Sequence, residues 1–267
     1  MANVLDYVAS DGTYREATLE KLDTIIVNTG GASGGVVNKF GTNADIDIAG
    51  GNEVVAAFGG TLAIMTTADT LDIVSSSTAD DVGGTGATLL LLQGIDASYL
   101  AVEEYITMDG VTPVTSVNSY LGINRAVVVA SGTGDANAGI ITIDDTSNAV
   151  GVQASIPVGA SVTQQCIYHT PISKTLNLEF LMVSAIRLAG GGAQPEINVK
   201  GWSYSRVTDT VYAVIDLQMD LAIENNLVIN YTNPVVFTGR EVIYFTCSTD
   251  TDNTKVSMRF SGAETDS

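Results

Sequence analysis

The feature that most constrains this chain is a long series of short β-branched and aromatic runs, each bounded by Gly, Asn or Asp clusters. Such runs are typical of strands, and clusters such as "SGTGD" and "TDTDN" are typical of turns. No helical pattern separates the runs, which excludes alternating strand–helix units. The pattern predicts an all-β fold, an antiparallel β-sandwich or jelly roll. The predicted strands are Thr61–Thr66, Thr70–Ser75, Ala87–Leu92, Tyr99–Met108, Ser119–Ala130, Gly139–Ile143, Val150–Ile156, Ser161–Thr170, Thr175–Ala189, Glu196–Trp202, Val211–Leu217, Leu227–Asn230, Glu241–Cys247 and Lys255–Phe260.

The first 38 residues differ from the rest. Tyr14–Val27 has apolar residues at partly helical spacing, which predicts a short helix with Asp11 or Thr13 as its N-cap. Asn28–Asn38 ("NTGGASGGVVN") is typical of a flexible linker or an extended arm. We therefore predict an N-terminal anchoring arm over residues 1–38 and a jelly-roll-like β-sandwich body over residues 39–267. An ordinary first helix or strand of the body is the alternative.

The charge balance argues against several classes of partner. The chain has 30 acidic and 11 basic residues, which gives a formal net charge of −19. The basic residues stand singly, so no basic patch is available for nucleic acid or for an anionic membrane. No apolar run approaches the roughly 18 residues that a membrane-spanning helix needs. We expect neither a nucleic acid nor a membrane as partner, and no secretory signal is evident at the start of the sequence.

A glycine cluster at Asp80–Leu92 ("DDVGGTGATLLLL") raises the question of a phosphate-binding loop. A dinucleotide fingerprint needs G-x-G-x-x-G between a strand and a helix. Leu89 stands where the third glycine would be, and no P-loop lysine follows. We interpret the cluster as a turn before a strand.

Residues suited to nucleophilic chemistry are few. His169 is the single histidine, and Cys166 lies three residues before it, which in a strand places their side chains on opposite faces. A triad needs the histidine beside its nucleophile, so this pair does not form one. Cys166 and Cys247 are the only cysteines; their surroundings favour two buried thiols, although a disulfide stays open.

Carboxylates are the remaining candidates for chemistry. Glu103 and Glu104 are adjacent and therefore lie on opposite faces of a strand, which does not make a facing glycosidase pair. Two oxygen-rich stretches are candidate calcium ligands, but neither has the EF-hand spacing, and turn formation explains both. Their residues are Asp45, Asp47, Asp250, Asp252 and Asn253. We predict no catalytic residue, no cofactor site and no metal site.

Several motifs resemble a group of tailed-phage virion proteins common in marine and aquatic phages. The group's patterns are G-x-N-x-D-I-D, compared with Gly41–Val55; S-x-A-D-D-x-x-G-T-G-A, G-x-D, E-x-x-x-M-x-G-x-T-P-V-x-T, N-x-Y-L-x-I-N-R-A and G-x-x-N-A-G-x-I, compared with Ser77–Ile143; a proline-to-lysine turn, compared with "TPISKT" at Thr170–Thr175; and N-N-T-x-V-S-x-x-F, compared with Thr251–Gly262. Nearly every element of the Ser77–Ile143 patterns stands in this sequence in order. The likeness covers roughly residues 41–262. It implies a β-sandwich structural protein of a phage particle, without its position on that particle.

The same motifs suit a structural part on physical grounds. Asp109–Gly110 favours a tight type I′ hairpin turn, and Pro113 suits an edge strand because it donates no ladder hydrogen bond. Arg125 is a candidate to pair with a buried carboxylate or with an adjacent subunit.

The resemblance and the composition together suggest two functions, one structural and one in receptor binding. The first is a capsid decoration or cement protein that binds the major capsid protein on the outer shell, as a homotrimer, in a virion assembled in the host cytoplasm. The second is a tail or fibre component that attaches to a host surface receptor, with Trp202, Tyr204 and Tyr212 as candidate contacts. A tail-borne glycan depolymerase is a weaker third hypothesis, because the chain has one histidine and one tryptophan. We therefore predict that the chain is not an enzyme.

Overall fold

The computed structural model describes residues 5–8, 14–17, 35–147, 149–188 and 194–267. Its strands are antiparallel and form five sheets, which confirms the predicted all-β class. In chain order they are β1 Leu5–Val8, β2 Tyr14–Ala17, β3 Val36–Ile46, β4 Glu53–Val54, β5 Leu71–Ser75, β6 Ala87–Ile95, β7 Ala101–Thr107, β8 Val114–Thr115, β9 Gly122–Ser131, β10 Ile141–Asp145, β11 Val152–Ile156, β12 Ile167–His169, β13 Lys174–Arg187, β14 Glu196–Ser205, β15 Thr210–Asp220, β16 Asn226–Phe237, β17 Glu241–Thr249 and β18 Thr254–Asp266. A 3-10 turn covers Ile48–Gly50.

Eight of these strands form a jelly roll. One sheet has the order β3-β18-β13-β16, and the facing sheet has the order β12-β17-β14-β15, with the short β4 also paired to β17. When the eight strands, without β4, are renumbered 1 to 8 in chain order, the two sheets have the orders 1-8-3-6 and 2-7-4-5. This is the arrangement of a double-sheet jelly roll. Their facing sides share one core, which includes Leu181, Phe245 and Phe260.

Strand β13 shows how the sequence builds this core. Leu176 and Leu178 point inward by strict alternation, and a register shift between Leu178 and Phe180 marks a bulge. The extra residue restores Leu181 and Val183 to the inner face. Burying side chains of this size stabilises the fold by roughly 2 kcal/mol each before entropy is counted.

The other seven strands of the body form an inserted sandwich between β4 and β12. Its sheets have the orders β11-β10-β5-β8 and β7-β6-β9. They enclose a second core, which includes Leu90, Tyr120 and Ile143 and shares no residue with the core of the jelly roll. The body predicted over residues 39–267 therefore contains two cores. The predicted boundary at residue 38 stays a prediction.

The N-terminal prediction needs correction where the structure describes it. Tyr14–Ala17 is a strand, antiparallel to Leu5–Val8, and not the start of a helix. The N-cap candidates Asp11 and Thr13 lie outside the described residues. Residues 18–27 of the predicted helix lie outside the described residues. At the end of the predicted linker, Val36–Asn38 already pairs with β18.

Two further predictions were wrong in detail. Thr61–Thr66 is not a strand; Leu62 and Ile64 instead pack over the outer face of a jelly-roll sheet, on Val54, Ile167 and Val242. Asp109–Gly110 is not a hairpin turn, because β7 and β8 belong to different sheets. Only Gly110 has a positive φ, of 58°, whereas a type I′ turn needs two.

Most other strand predictions were confirmed within a few residues, although only Ile167–His169 of Ser161–Thr170 is a strand. Pro113 directly precedes β8, which is an edge strand as predicted. Within the described ranges, no helix has the length and apolarity that a bilayer crossing needs.

Candidate functional site

The glycine cluster of the sequence surrounds a buried carboxylate. Asp80 is fully buried and accepts hydrogen bonds from the Ser75 hydroxyl (2.5 Å) and from the amides of Ala87 (2.6 Å), Ala138 (2.7 Å) and Gly139 (2.8 Å). Burial alone raises the pKa of Asp80, but these hydrogen bonds together outweigh burial and lower the pKa below its ordinary value. Asp80 therefore joins the β5–β6 and β9–β10 connections as an anion.

This geometry explains the glycines without a phosphate. A Cβ on Gly86 would lie 2.1 Å from the Asp80 Oδ1 atom, so no larger residue fits beside the carboxylate. The amides of Gly132 and Gly134 donate to the carbonyls of Gly86 and Thr85. The predicted turn before a strand is confirmed, since Asp80–Gly86 forms the turn that leads into β6.

A second buried polar residue fixes the neighbouring loops. The Asn137 side chain donates to the carbonyls of Gly139 (2.7 Å) and Pro157 (2.8 Å) and accepts from the Ser161 amide (2.9 Å). Together, Asp80 and Asn137 join the connections at the end of the inserted sandwich farther from the jelly roll, which we call the tip. The tip carries four exposed aliphatic side chains: Val82, Val111, Ile140 and Val158.

The jelly roll holds the opposite end of the inserted sandwich at the segment Leu121–Asn124 and, through the Ile172 amide, at the Tyr99 carbonyl (2.9 Å). The Lys39 ammonium donates to the Asn124 carbonyl, and Gln165 Nε2 donates to the Ile123 carbonyl at 2.9 Å. Arg206 donates to the carbonyls of Leu121 (3.0 Å) and Met65. We call this set of contacts the junction.

Asn124 and His169 complete the junction. The Asn124 side chain donates to the His169 carbonyl (3.0 Å) and accepts from the His169 amide (2.7 Å), as a strand neighbour would. The His169 ring lies against Gly122, where a Cβ would come within 2.2 Å of the ring. Because these contacts involve backbone groups, they oppose rotation of the inserted sandwich relative to the jelly roll.

The junction is rich in basic side chains. Burial is the main cause that lowers the pKa of Lys39 to about 7, and the nearby Arg125 charge lowers it further. Burial, with the charges of Arg206 and Lys39, holds the pKa of His169 well below its ordinary value. His169 is therefore a neutral, buried residue at the end of a strand, and its Nδ1 atom lies 3.3 Å from an Arg206 nitrogen.

A cleft of about 350 Å³ opens beside the junction. Tyr168, Lys174 and Glu264 line it from the jelly roll, and Gln93 and Glu103 line it from the inserted sandwich. Glu264 accepts a hydrogen bond from the Tyr168 hydroxyl, and burial raises the pKa of its carboxyl. Lys174 forms a 2.7 Å ion pair with Asp266. Within the cleft, Gln93 donates to Glu103, so much of its polar lining is bound by other protein groups.

The structure does not bring the sequence candidates for chemistry together. Cys166 and Cys247 are free and buried in the jelly-roll core, where burial raises the pKa of each thiol to about 12. Cys166 Sγ faces the Met258 carbonyl, whereas the His169 ring faces Gly122. Glu103 accepts from Gln93, and Glu104 accepts from the amides of Val117 and Asn118, so the two glutamates are separate.

The side chains of the oxygen-rich stretches form hydrogen bonds within and between loops. Asp47 accepts from the Asn253 amide (3.2 Å), and Asp252 accepts from the Ile48 amide (2.9 Å), which fastens the two loops to each other. Asp250 accepts from the Glu196 amide, and Asp45 donates its own amide to Asn43. Among the described residues, no group of three or more metal-ligating side chains occurs.

The aromatic receptor candidates lie on two paired strands: Trp202 and Tyr204 alternate along β14, and Tyr212 of β15 pairs with Ser203 between them. Trp202 stacks on Tyr244 with a 6.4 Å centroid distance and donates to Thr246. Tyr204 is buried and its hydroxyl donates to Asp209. Tyr212 is exposed on β15. The sequence analysis missed Lys39 and Arg206, because a single basic residue in a strand or turn gives no local signal.

Comparisons with known proteins give little beyond weak structural likenesses. No protein-family model matches the chain, and no curated protein matches it. The VP2 subviral particle of infectious bursal disease virus is similar with a TM-score of 0.23 and 10% identity, over 88% of this chain and 72% of that chain. The T13 particle of the same virus gives a TM-score of 0.19 and 14% identity, over 91% of this chain and 73% of that chain. TM-scores this low do not establish a shared fold or function.

Proposed function

We propose that this chain is a structural protein of a virus particle, and more specifically a decoration or cement protein that binds the outer capsid shell. In this proposal its partner is the major capsid protein, it is located in the virion, and it catalyses no reaction. The jelly roll is one of the architectures that viral capsid domains use, but many unrelated proteins share it. The fold alone therefore does not carry the proposal.

The observation that carries the proposal is the use of the motif residues. The motifs that resemble phage virion proteins contain Asp80, Asn124 and Asn137, and all three are buried and hydrogen-bonded to backbone groups. Asn124 also lines the cleft beside the junction, but its side-chain nitrogen and oxygen bind the backbone of His169. A catalytic motif would instead direct its polar atoms to a substrate. These motif residues stabilise loops and fix the inserted sandwich on the jelly roll. Such roles are expected in a structural protein.

The experiment that tests decoration is the copy number of the chain in purified particles, relative to the major capsid protein. A ratio near one, or a simple fraction of one, means that the chain follows the capsid lattice. A handful of copies per particle would contradict decoration and favour a tail position.

Attachment through the N-terminal arm is a separate part of the proposal. The jelly roll begins at Val36, so removal of residues 2–30 is expected to leave a folded β protein. We expect this truncated chain to lose binding to capsids in a co-sedimentation assay. Unfolding of the truncated chain, or unchanged sedimentation with capsids, would contradict the arm hypothesis.

The tip favours host attachment as a second candidate function. Loops on a rigid scaffold commonly carry binding residues, and Val82 and Val158 are exposed there on loops held by Asp80 and Asn137. The test is adsorption of particles carrying Val82→Ser with Val158→Ser to host cells. The matched control is Val117→Ser with Val207→Ser, two exposed valines elsewhere. Lower adsorption only in the tip variant supports attachment, and equal adsorption contradicts it.

A further inference from the structure

The single histidine of the chain lies at the contact between the two sandwiches. His169 ends β12 and is 6% exposed, and its ring lies on the backbone of Gly122, the first residue of β9 in the inserted sandwich. A Cβ at Gly122 would overlap the ring, so the ring has no room to move toward β9. On the Nδ1 side of the ring, a guanidinium nitrogen of Arg206 lies 3.3 Å away. The ring is therefore confined between a backbone segment and a permanent cation.

This arrangement fits a neutral ring and opposes a charged one. An arginine side chain has hydrogen-bond donors but no acceptor, and it stays protonated in proteins. The Nδ1 atom of His169 must therefore accept from Arg206, which leaves the ring proton on Nε2. A second proton would bind to Nδ1, where it would point at the Arg206 donor and bring two positive charges together. A protonated ring and a closed junction are thus incompatible.

The surroundings of the ring do not offset this charge. Of the described side chains, those whose charges act on the ring are Arg206, which follows β14, and Lys39 of β3, and both are positive. Arg125 of β9 is a third base, and its charge acts on Lys39. Glu241, in the neighbouring strand β17, directs its carboxylate to the Thr238 amide (2.7 Å). A protonated ring would therefore meet like charge at the junction.

Separation of the two sandwiches relieves this conflict. The ring and Arg206 belong to the jelly roll, whereas Gly122 belongs to the inserted sandwich, so separation gives the ring room to turn away from Arg206 and into water. The two cores share no residue, so each sandwich keeps its own core when they part. The contacts that are lost are hydrogen bonds of the junction, such as those from Arg206 to the Leu121 carbonyl and from the Ile172 amide to the Tyr99 carbonyl.

We propose that His169 makes the junction acid-sensitive: protonation of its ring releases the inserted sandwich from the jelly roll while both sandwiches stay folded. In the open state the ring takes up a proton at its ordinary pKa of 6.5, whereas the closed state holds that pKa well below this value. Opening is therefore favoured by up to tenfold for each pH unit below 6.5. Lys39 acts in a different range, because its pKa of about 7 in the closed state leaves it mostly protonated in both states below pH 6.5.

The test is hydrogen exchange of the full chain between pH 6.5 and 5.0, expressed as protection factors so that the pH dependence of intrinsic exchange cancels. Two amides bridge the junction: that of His169 donates to Asn124 Oδ1 (2.7 Å), and that of Ile172 donates to the Tyr99 carbonyl (2.9 Å). We expect their protection to fall about tenfold over this range, while amides in the middle of β6 and β13 keep theirs. An equal fall in β6 and β13 would mean global unfolding and would overturn the proposal, as would unchanged protection at the junction.

A pair of variants assigns the effect to the ring. His169→Gln removes the titrating group and keeps a side chain that can accept from Arg206, so we expect the protection of the Ile172 amide to be independent of pH over the same range. The matched control is Glu264→Gln, which removes a different buried titratable group, in the cleft beside the junction, and should keep the wild-type fall. A fall that persists in His169→Gln, or that disappears in Glu264→Gln, overturns the proposal.

A second measurement on the wild type covers the case in which His169→Gln does not fold. Because the chain has one histidine, its ring gives a single imidazole signal in NMR. We expect this signal to titrate well below pH 6.5 as long as the junction amides are protected. A ring that ionises near pH 6.5 while those amides stay protected would show that the closed junction tolerates the charge, and the proposal would be wrong.

Discussion

At the scale of single residues, Asp80 shows how one buried carboxylate can organise several loops. It accepts four hydrogen bonds, three of them from backbone amides of two separate segments. We expect Asp80→Asn to lower the free energy of unfolding by about 3 kcal/mol, because an amide nitrogen would face amide donors and leave them unpaired. Urea denaturation measures the loss.

The control for Asp80 is its neighbour. Asp81 is partly exposed and its carboxylate accepts from the amide of its neighbour Val82, so Asp81→Asn should cost less than about 0.5 kcal/mol. Equal losses for the two variants would mean that Asp80 is not the organising residue.

Lys39 and His169 give the unfolding free energy a specific pH dependence. The unfolded chain binds a proton at Lys39 up to its ordinary pKa of 10.5, whereas the folded chain releases it at about 7. Stability therefore rises with pH above 7, by about 1 kcal/mol per pH unit. Above pH 9 the free energy of unfolding falls again, because the thiols of Cys166 and Cys247 ionise at a lower pH in the unfolded chain than in the folded chain. Below pH 6.5 stability falls, because unfolding lets His169 take up a proton.

The variant that isolates this effect is Lys39→Met. We expect the rise in unfolding free energy between pH 7 and 9 to disappear in this variant, measured by urea denaturation at several pH values. Lys255→Met, which removes a half-buried lysine of β18, should keep the wild-type slope. A slope retained in Lys39→Met would show that Lys39 is not the group responsible.

At the scale of elements, Arg206 decides how firmly the inserted sandwich is held. Its guanidinium donates hydrogen bonds to the buried carbonyls of Met65 and Leu121. We expect Arg206→Met to lower the stability of the junction by about 2–4 kcal/mol, because both carbonyls lose their donor. In calorimetry, the inserted sandwich should then unfold in a transition separate from that of the jelly roll.

Arg259→Met provides the comparison. Arg259 is exposed on β18 and bonds to Asn38 at 2.9 Å, so its removal should leave the melting profile unchanged. If Arg206→Met also kept the wild-type profile, the junction would depend on other contacts.

The elements also show what a sequence can and cannot specify. Runs such as Leu71–Ser75 and Glu241–Thr249 were predictable, because apolar residues, many of them β-branched or aromatic, are concentrated there. The long strand β3 was missed, since its residues include Gly41, Asn38 and Asn43, which weaken the local signal. The Asp109–Gly110 error has the opposite cause: a strong local turn signal, in a segment where the chain passes between sheets.

The pairing of strands lay beyond local patterns. β3 and β18 are neighbours although more than 200 residues separate them, and the jelly-roll order follows from such distant contacts. The same reason hid the junction, where Lys39, Asn124 and Arg206 come from three distant segments. The motif around Asn124 was visible in the sequence, but its partners were not.

At the scale of the whole molecule, the net charge of −19 and the exposed apolar side chains make opposite contributions to self-association. Charge repels two copies at long range, whereas exposed valines such as Val214, Val228 and Val236 attract only on contact. Salt shortens the range of repulsion from about 30 Å at 0.01 M to about 3 Å at 1 M and leaves apolar contact intact. We therefore expect any self-association of the wild type to strengthen at least tenfold between 20 and 500 mM NaCl, measured by analytical ultracentrifugation. Contacts built on ion pairs would instead weaken with salt, so an association constant that falls with salt would contradict apolar contact as the basis of self-association.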